Sequence, residues 1–396
     1  MEAIVPETMK RLWELDAARG LMLVLMTITH VPSRLTDPVG QPFGFVSAAE
    51  GFVLLSAFVS GLVYSRIGYA QGVAVMRQAF WRRALKIYFI QAALLLFLFT
   101  VITGVGLQLD QPAVKEMVKY YLAHPHDALS FSLLLVYQPA LLDILPMYIL
   151  FMLASPWVIA FAMRHGWQWP MALSATWWAA SQFGTTEWLY GVTSSALHLP
   201  VPYGETGAFD TFAWQFLWFV GMWLGASRNA PDARPFVFPK WLLGLALAVA
   251  GGCFAWRHFG PTGQAPFGDD AGLNLLFDKW HLGPLRLVNL AALCIVAIRF
   301  GPPLLHRLPR PRWLEDMGSA SLPVFCAHLV AVFVVVSLTG GGYAALPYGA
   351  DLWVLGGVFV GLYAVARAVL RWEGGGGGGG KKLARAPAPR GVPHPG

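Results

Sequence analysis

The chain has 396 residues, of which 56% are hydrophobic and 12% charged, and its mean hydropathy is +0.54. Soluble domains carry about 25% charged residues, so this composition excludes a disordered chain, a coiled coil and an ordinary cytosolic enzyme. It points to a polytopic membrane protein. The formal net charge is +7, but the basic residues sit between apolar segments, so the expected partner is a lipid bilayer and not nucleic acid. Cys253, Cys294 and Cys326 are odd in number and lie in apolar stretches. They argue against a disulfide framework and supply no metal-ligand spacing, so no metal is expected.

Crossing the hydrocarbon as a helix takes about 20 mostly apolar residues. Ten segments meet this, in chain order 14–31, 45–65, 84–104, 141–162, 168–184, 212–227, 241–258, 283–300, 317–338 and 351–371. The first contains Asp16, Arg19 and His30 and no small-residue cleavage pattern, so it reads as a span and not as a separate signal peptide. With both termini placed in the cytoplasm, 21 of the 28 Lys and Arg residues fall on the cytoplasmic side. Arg34, Lys115, Lys119, Arg257 and Lys279 fall outside, and Arg19 and Arg286 lie within spans. This asymmetry predicts an all-α multi-pass protein with about ten transmembrane helices and cytoplasmic N- and C-termini. Residues 1–372 form one membrane domain. The segment 373–396, with seven consecutive glycines followed by Lys, Arg and Pro, reads as a flexible cytoplasmic tail. The outside loops 105–140, 185–211 and 259–282 are long enough for short helices.

Charged residues inside a membrane are costly and are functional candidates by default. On the first helix, Arg19 lies toward the cytoplasmic end and His30 toward the outer end, just before Pro32. Their separation of eleven residues is about 16 Å along the axis and close to three turns, so they share a face. Later helices add to an outer layer of His30, Glu50, Asp143, Gln215, Arg286, Asn289 and His328, and to an inner layer of Arg19, Arg66, Arg82, Arg83 and Lys86.

The two layers suggest a division of labour. A neutral histidine can take a proton from a sugar hydroxyl, and a carboxylate such as Glu50 or Asp143 can orient its ring. Clustered Arg and Lys suit phosphates. A phosphate-bearing donor such as acyl-CoA would bind at the cytoplasmic face and thread its thioester toward His30. The same residues also fit blander roles. Arg66, Arg82, Arg83 and Lys86 serve as positive-inside anchors, Arg19 pairs with Asp16, His328 packs, and Glu50, Asp143 and Arg286 form a structural charge network.

Three segments carry a resemblance. Leu15-Asp16-Ala17-Ala18-Arg19-Gly20, followed by His30, resembles the opening signature of the acyltransferase-3 superfamily. Arg83-Ala84-Leu85-Lys86 resembles its basic pair at the third helix, with Lys in the second place. Ser321-Leu322-Pro323-Val324-Phe325-Cys326-Ala327-His328 resembles its late helix, with Leu322 and Phe325 in place of tyrosines. Within the superfamily, Ala49-Glu50-Gly51-Phe52-Val53 and the run from Tyr137 through Asp143 to Tyr148 are similar to the OpgC branch. Ala213-Trp214-Gln215 and Pro284-Leu285-Arg286 fit that branch too.

The resemblance implies a multi-pass inner-membrane enzyme that succinylates osmoregulated periplasmic glucans. It makes His30 the catalytic base and puts Arg19, Arg83 and Lys86 on the side of the acyl-CoA donor, succinyl-CoA in that branch. From depth, Asp143 and Glu50 are expected beside the base, and Gln215, Arg286 and His328 beside the acceptor glucan. Two other readings stay open, a glycan or lipid transporter or flippase and a non-catalytic subunit of a glucan-processing complex. Against the transporter, the sequence shows no repeated halves and no pair of broken helices.

Overall fold

The computed structural model describes residues 12–230, 237–260, 266–305, 307, 309–341 and 347–376. Among these, every regular element is a helix. In lipid this follows from backbone chemistry, since a helix satisfies its own N–H and C=O groups where no water can. The principal helices are α1 (Trp13–His30), α2 (Ala48–Gln71), α3 (Val73–Phe97), α4 (Ile144–His165), α5 (Gln168–Ser181), α6 (Thr211–Ala226), α7 (Lys240–Phe259), α8 (Pro284–Leu305), α9 (Ser321–Thr339) and α10 (Ala350–Gly376).

Each expected span has a helix. Seven among the described residues are long and apolar enough to cross a membrane, namely α2, α3 with its continuation, α4, α7, α8, α9 and α10. Of the others, α1 carries Glu14, Asp16 and Arg19, while α5 and α6 have only 14 and 16 residues. Lipid exposure fits the outer helices, since α7 buries only Ala246 while Trp241, Leu245, Leu247 and Phe254 face outward.

Three of the boundary differences from expectation bear on the architecture. The third span does not begin at 84. It is continuous from Val73 to Gln108, 36 residues or about 54 Å, passing through a π turn at Leu98–Ile102. Gly72, at φ +91°, makes the turn from α2, and nothing between 73 and 84 breaks the helix. The ninth span does not begin at 317. Residues 312–319 form a separate short helix, and Ala320 (φ −97°, ψ 33°) breaks it from α9. The last helix runs to Gly376, into the start of the expected tail, and the tail beyond it lies outside the described residues. The outer loops do hold the expected short helices, at Pro112–Met117, Lys119–Ala123, Pro125–Leu133 and Thr185–Leu197.

Backbone-to-backbone packing sets the crossings. α6 lies against α2 through Gly221 and Gly225, where any Cβ would meet the carbonyls of Leu54 and Phe58. α1 crosses the Arg312–Ser319 helix in the same way, with Gly20 on the Leu314 carbonyl and Gly318 on the Asp16 carbonyl. Small residues let membrane helices approach this closely.

The loops sort to two ends. At one end Gln138 N–H bonds the Glu205 carbonyl (3.0 Å), Asp210 N–H bonds the Trp280 carbonyl (3.0 Å), and Arg34 pairs with Asp351 (2.9 Å). At the other end Arg310 stacks over Trp13 (5.4 Å) and Arg367 pairs with Asp316 (2.9 Å), so the start of α1 and the end of α10 meet there.

Candidate active site

Two cavities lie end to end through the bundle. Both are lined by Ile144 and Phe325, which form the constriction between them. The inner one, about 180 Å³, holds two guanidinium groups, Arg19 and Arg83, with hydroxyls from Ser56, Ser60, Tyr64, Tyr148 and Ser321. The outer one, about 890 Å³, is lined by His30, Asp143 and residues of the four loops 32–47, 105–140, 185–211 and 259–282. Arg19 and His30 thus open into different chambers from one wall of one helix.

Arg19 is held by the break before α9. Its Nη2 donates to the Ser321 hydroxyl, and Ser319 donates to Asp16 (3.0 Å). The Asp16 carboxylate lies 4.0 Å from the Arg19 guanidinium, at the limit of an ion pair. The serines on either side of Ala320 therefore hold this charged turn of α1. Arg83 lines the inner cavity from α3. Lys86, one turn further along α3, is exposed and does not line it, so the expected basic pair is split. Arg83→Ala is expected to raise KM for an acyl-CoA donor, because a hydrogen bond to a charged group is worth about 1.5–3 kcal/mol. Lys86→Ala should leave KM unchanged. Titration of donor binding to both purified variants checks this, and equal losses in the two would restore the pair.

His30 ends α1 on the outer cavity. Its Nδ1 lies 3.0 Å from Nε2 of His328, and the two rings stack with centroids 5.1 Å apart. His328, from α9, is fully buried behind His30 and does not line either cavity. The structure thus gives His328, expected beside the acceptor, a contact with His30 itself.

No described carboxylate hydrogen-bonds His30. Glu50, expected beside the base, is instead consumed by structure. One of its oxygens accepts from Arg286 Nε (2.8 Å) and Nη2, and the other from the Ser47 N–H (3.1 Å) and the Ser47 hydroxyl. Arg286 Nη1 donates to the Phe277 carbonyl (3.2 Å). Neither Glu50 nor Arg286 lines either of these two cavities. Gln215 is likewise committed, bonding Ser174 and the Phe212 carbonyl between α5 and α6. Asn289 accepts from the Phe45 N–H (2.9 Å). Asp143 does reach the outer cavity. It precedes α4 and accepts from the Ala208 N–H (3.0 Å), which sets its carboxylate on the wall.

Lys279 and Arg257 were only minority outside cations in the charge count, yet both line the outer cavity. The Lys279 ammonium lies 4.5 Å from the Trp280 ring and 5.7 Å from the Phe209 ring. Its loop is pinned by Trp178 and Gln182 of the α5 region, which donate to the Leu282 and His281 carbonyls at 3.0 and 2.7 Å. Burial lowers the Lys279 pKa and Arg286 adds to this, while the charges of Glu50, Asp143 and Asp278 oppose it. The available signal was a single lysine between Asp278 and Trp280 in a loop whose other charged residues are aspartates.

The arrangement offers a cationic inner chamber and a polar outer chamber with an imidazole on its wall. A family model for the OpgC protein matches residues 11–373, nearly the whole chain. No curated protein and no solved structure matches it. By this match, the chain belongs to the OpgC protein family.

Proposed function

We propose that the protein is a ten-span membrane O-acyltransferase with both termini in the cytoplasm of a bacterium and its outer chamber open to the periplasm. The observation that carries this reading is the pair of chambers meeting at Ile144 and Phe325, with Arg19 and Arg83 in one and His30 in the other. A transfer between two compartments needs an activated acyl donor on one side and an acceptor on the other, and the guanidinium groups suit a donor that carries phosphates. Acyl-CoA, succinyl-CoA by the family resemblance, binds with its phosphates toward the cytoplasmic face. Its pantetheine arm passes the inner chamber and brings the thioester to the constriction. A periplasmic glucan presents a hydroxyl in the outer chamber, where Asp143 accepts hydrogen bonds from the sugar and Trp280 and Phe209 supply apolar faces.

His30 takes the hydroxyl proton as the oxygen attacks the thioester carbonyl. The C–S bond then breaks, the proton passes from the imidazolium to the leaving sulfur, and free CoA and the glucan ester result. Lys279 supplies positive charge in the chamber where the carbonyl oxygen becomes negative.

The test is conversion by purified protein. Incubation with acyl-labelled succinyl-CoA and glucan should give labelled glucan and one free CoA thiol per ester formed. Movement of glucan or lipid across a vesicle membrane without thiol release would replace this reading with the transporter.

A further inference from the structure

We infer that His328 is the positioning residue of the site, holding the His30 ring and accepting from its Nδ1 when His30 acts as a base. This rests on the reading of His30 given above. A histidine that accepts a proton on one nitrogen must carry its own proton on the other, and something must favour that form. In many sites a carboxylate does so, but here Glu50 is held by Arg286 and Ser47, and Asp143 is held by the Ala208 N–H. The group at His30 Nδ1 is Nε2 of His328, 3.0 Å away.

Two proton arrangements fit that contact. In the first, His30 Nδ1–H donates to a bare His328 Nε2, which leaves His30 Nε2 bare and able to take a proton. His328 then carries its proton on Nδ1. In the second, His328 Nε2–H donates to His30, the remaining proton of His30 sits on Nε2, and His30 is no base. Only the first makes His30 a base, and it asks His328 to accept at Nε2. The ring is fully buried on α9, with no other partner at its Nδ1 among the described residues, so its one side-chain hydrogen bond goes to His30.

The stacking adds a second constraint. Ring centroids 5.1 Å apart and an interplanar angle of 23° hold the His30 ring by contact as well as by hydrogen bonding. His328 in turn lies 5.7 Å from the Phe325 ring, which lines both cavities. The base is thereby tied to the constriction through which the thioester would arrive.

The experiment measures acyl transfer by the purified full-length protein with His328→Leu and His328→Gln, each alone and combined with His30→Gln. His328→Leu removes the acceptor and should lower kcat by about 10–100-fold, the usual loss for a group that orients another. KM for acyl-CoA should stay within about two-fold, because the cations lie in the other chamber. His328→Gln keeps an acceptor oxygen and should recover part of the loss. In the His30→Gln background, His328→Leu should cost nothing more, since there is no base left to orient. If His328→Leu does not yield folded protein, His328→Phe keeps a flat ring without an acceptor and is read in the same way. Wild-type kcat in these variants, equal losses in the Gln and Leu variants, or a full additional loss in the His30→Gln background would each overturn the assignment. An inactive His30→Gln beside a fully active His328→Leu would overturn the pairing alone. A fully active His30→Gln would overturn the underlying reading as well.

Discussion

Purified His30→Gln protein is expected to bind acyl-CoA as the wild type does and to transfer almost nothing. Removal of a general base costs about 10²–10⁴-fold in rate. Glutamine keeps volume and hydrogen bonding at the end of α1 but cannot accept a proton at neutral pH. Folding should survive, because His30 is only half-buried and its backbone sits in the last turn of the helix. Donor binding should survive because Arg19 and Arg83 line the inner chamber, on the far side of Ile144 and Phe325. The measurement pairs single-turnover transfer with donor titration on the same sample. A loss of donor affinity equal to the loss of rate would mean that His30 holds substrate. Transfer at the wild-type rate would remove it from the chemistry altogether.

Arg286→Met is expected to be the most destabilising single change in the outer half of the bundle. It leaves the Glu50 carboxylate, fully buried, with only Ser47 to satisfy it. Breaking a buried pair by removing one partner costs about 3–5 kcal/mol, because the remaining charge is uncompensated. The N-terminus of α2, the Phe277 turn and the start of α8 would all lose their common tie. Thermal unfolding in detergent should show a clear fall in Tm. The double variant Glu50→Met/Arg286→Met should regain part of it, since a buried ion pair replaced by apolar side chains of similar size is often tolerated. Protein that remains folded at low temperature should keep a kcat near wild type. A normal Tm with abolished turnover in Glu50→Gln would instead place that carboxylate in the chemistry.

These two expected results would divide the polar outer layer into chemistry and scaffold, a division that depth along the chain does not reveal. Glu50, Asp143, Gln215 and Arg286 all lie at similar depth by residue count. Which of them faces a cavity depends on helix rotation and on neighbours far away in sequence. Glu50 meets Arg286 across 236 positions, and Gln215 meets Ser174 across 41. Of these four, Asp143 lines one of the two cavities described.

What the sequence by itself determined is what local chemistry controls. Apolar runs of bilayer length must become helices, because hydrocarbon leaves the backbone no other partner. Lys and Arg placement gave a consistent sorting of the loops, and the same loops meet at one end of the bundle. The eleven-residue spacing of Arg19 and His30 follows from helical pitch, which is why the two open into successive chambers along α1. Tertiary structure decided the rest. It paired His30 with His328 across 298 positions, brought Lys279 and Arg257 to the outer chamber, and left Lys86 exposed beside a cavity-lining Arg83. It also broke the ninth segment at Ala320, where Ser319 and Ser321 bond to Asp16 and Arg19 on α1. These features depend on partners brought together by the packing of separate helices. Residue type and periodicity within one segment carry no record of which partner that will be.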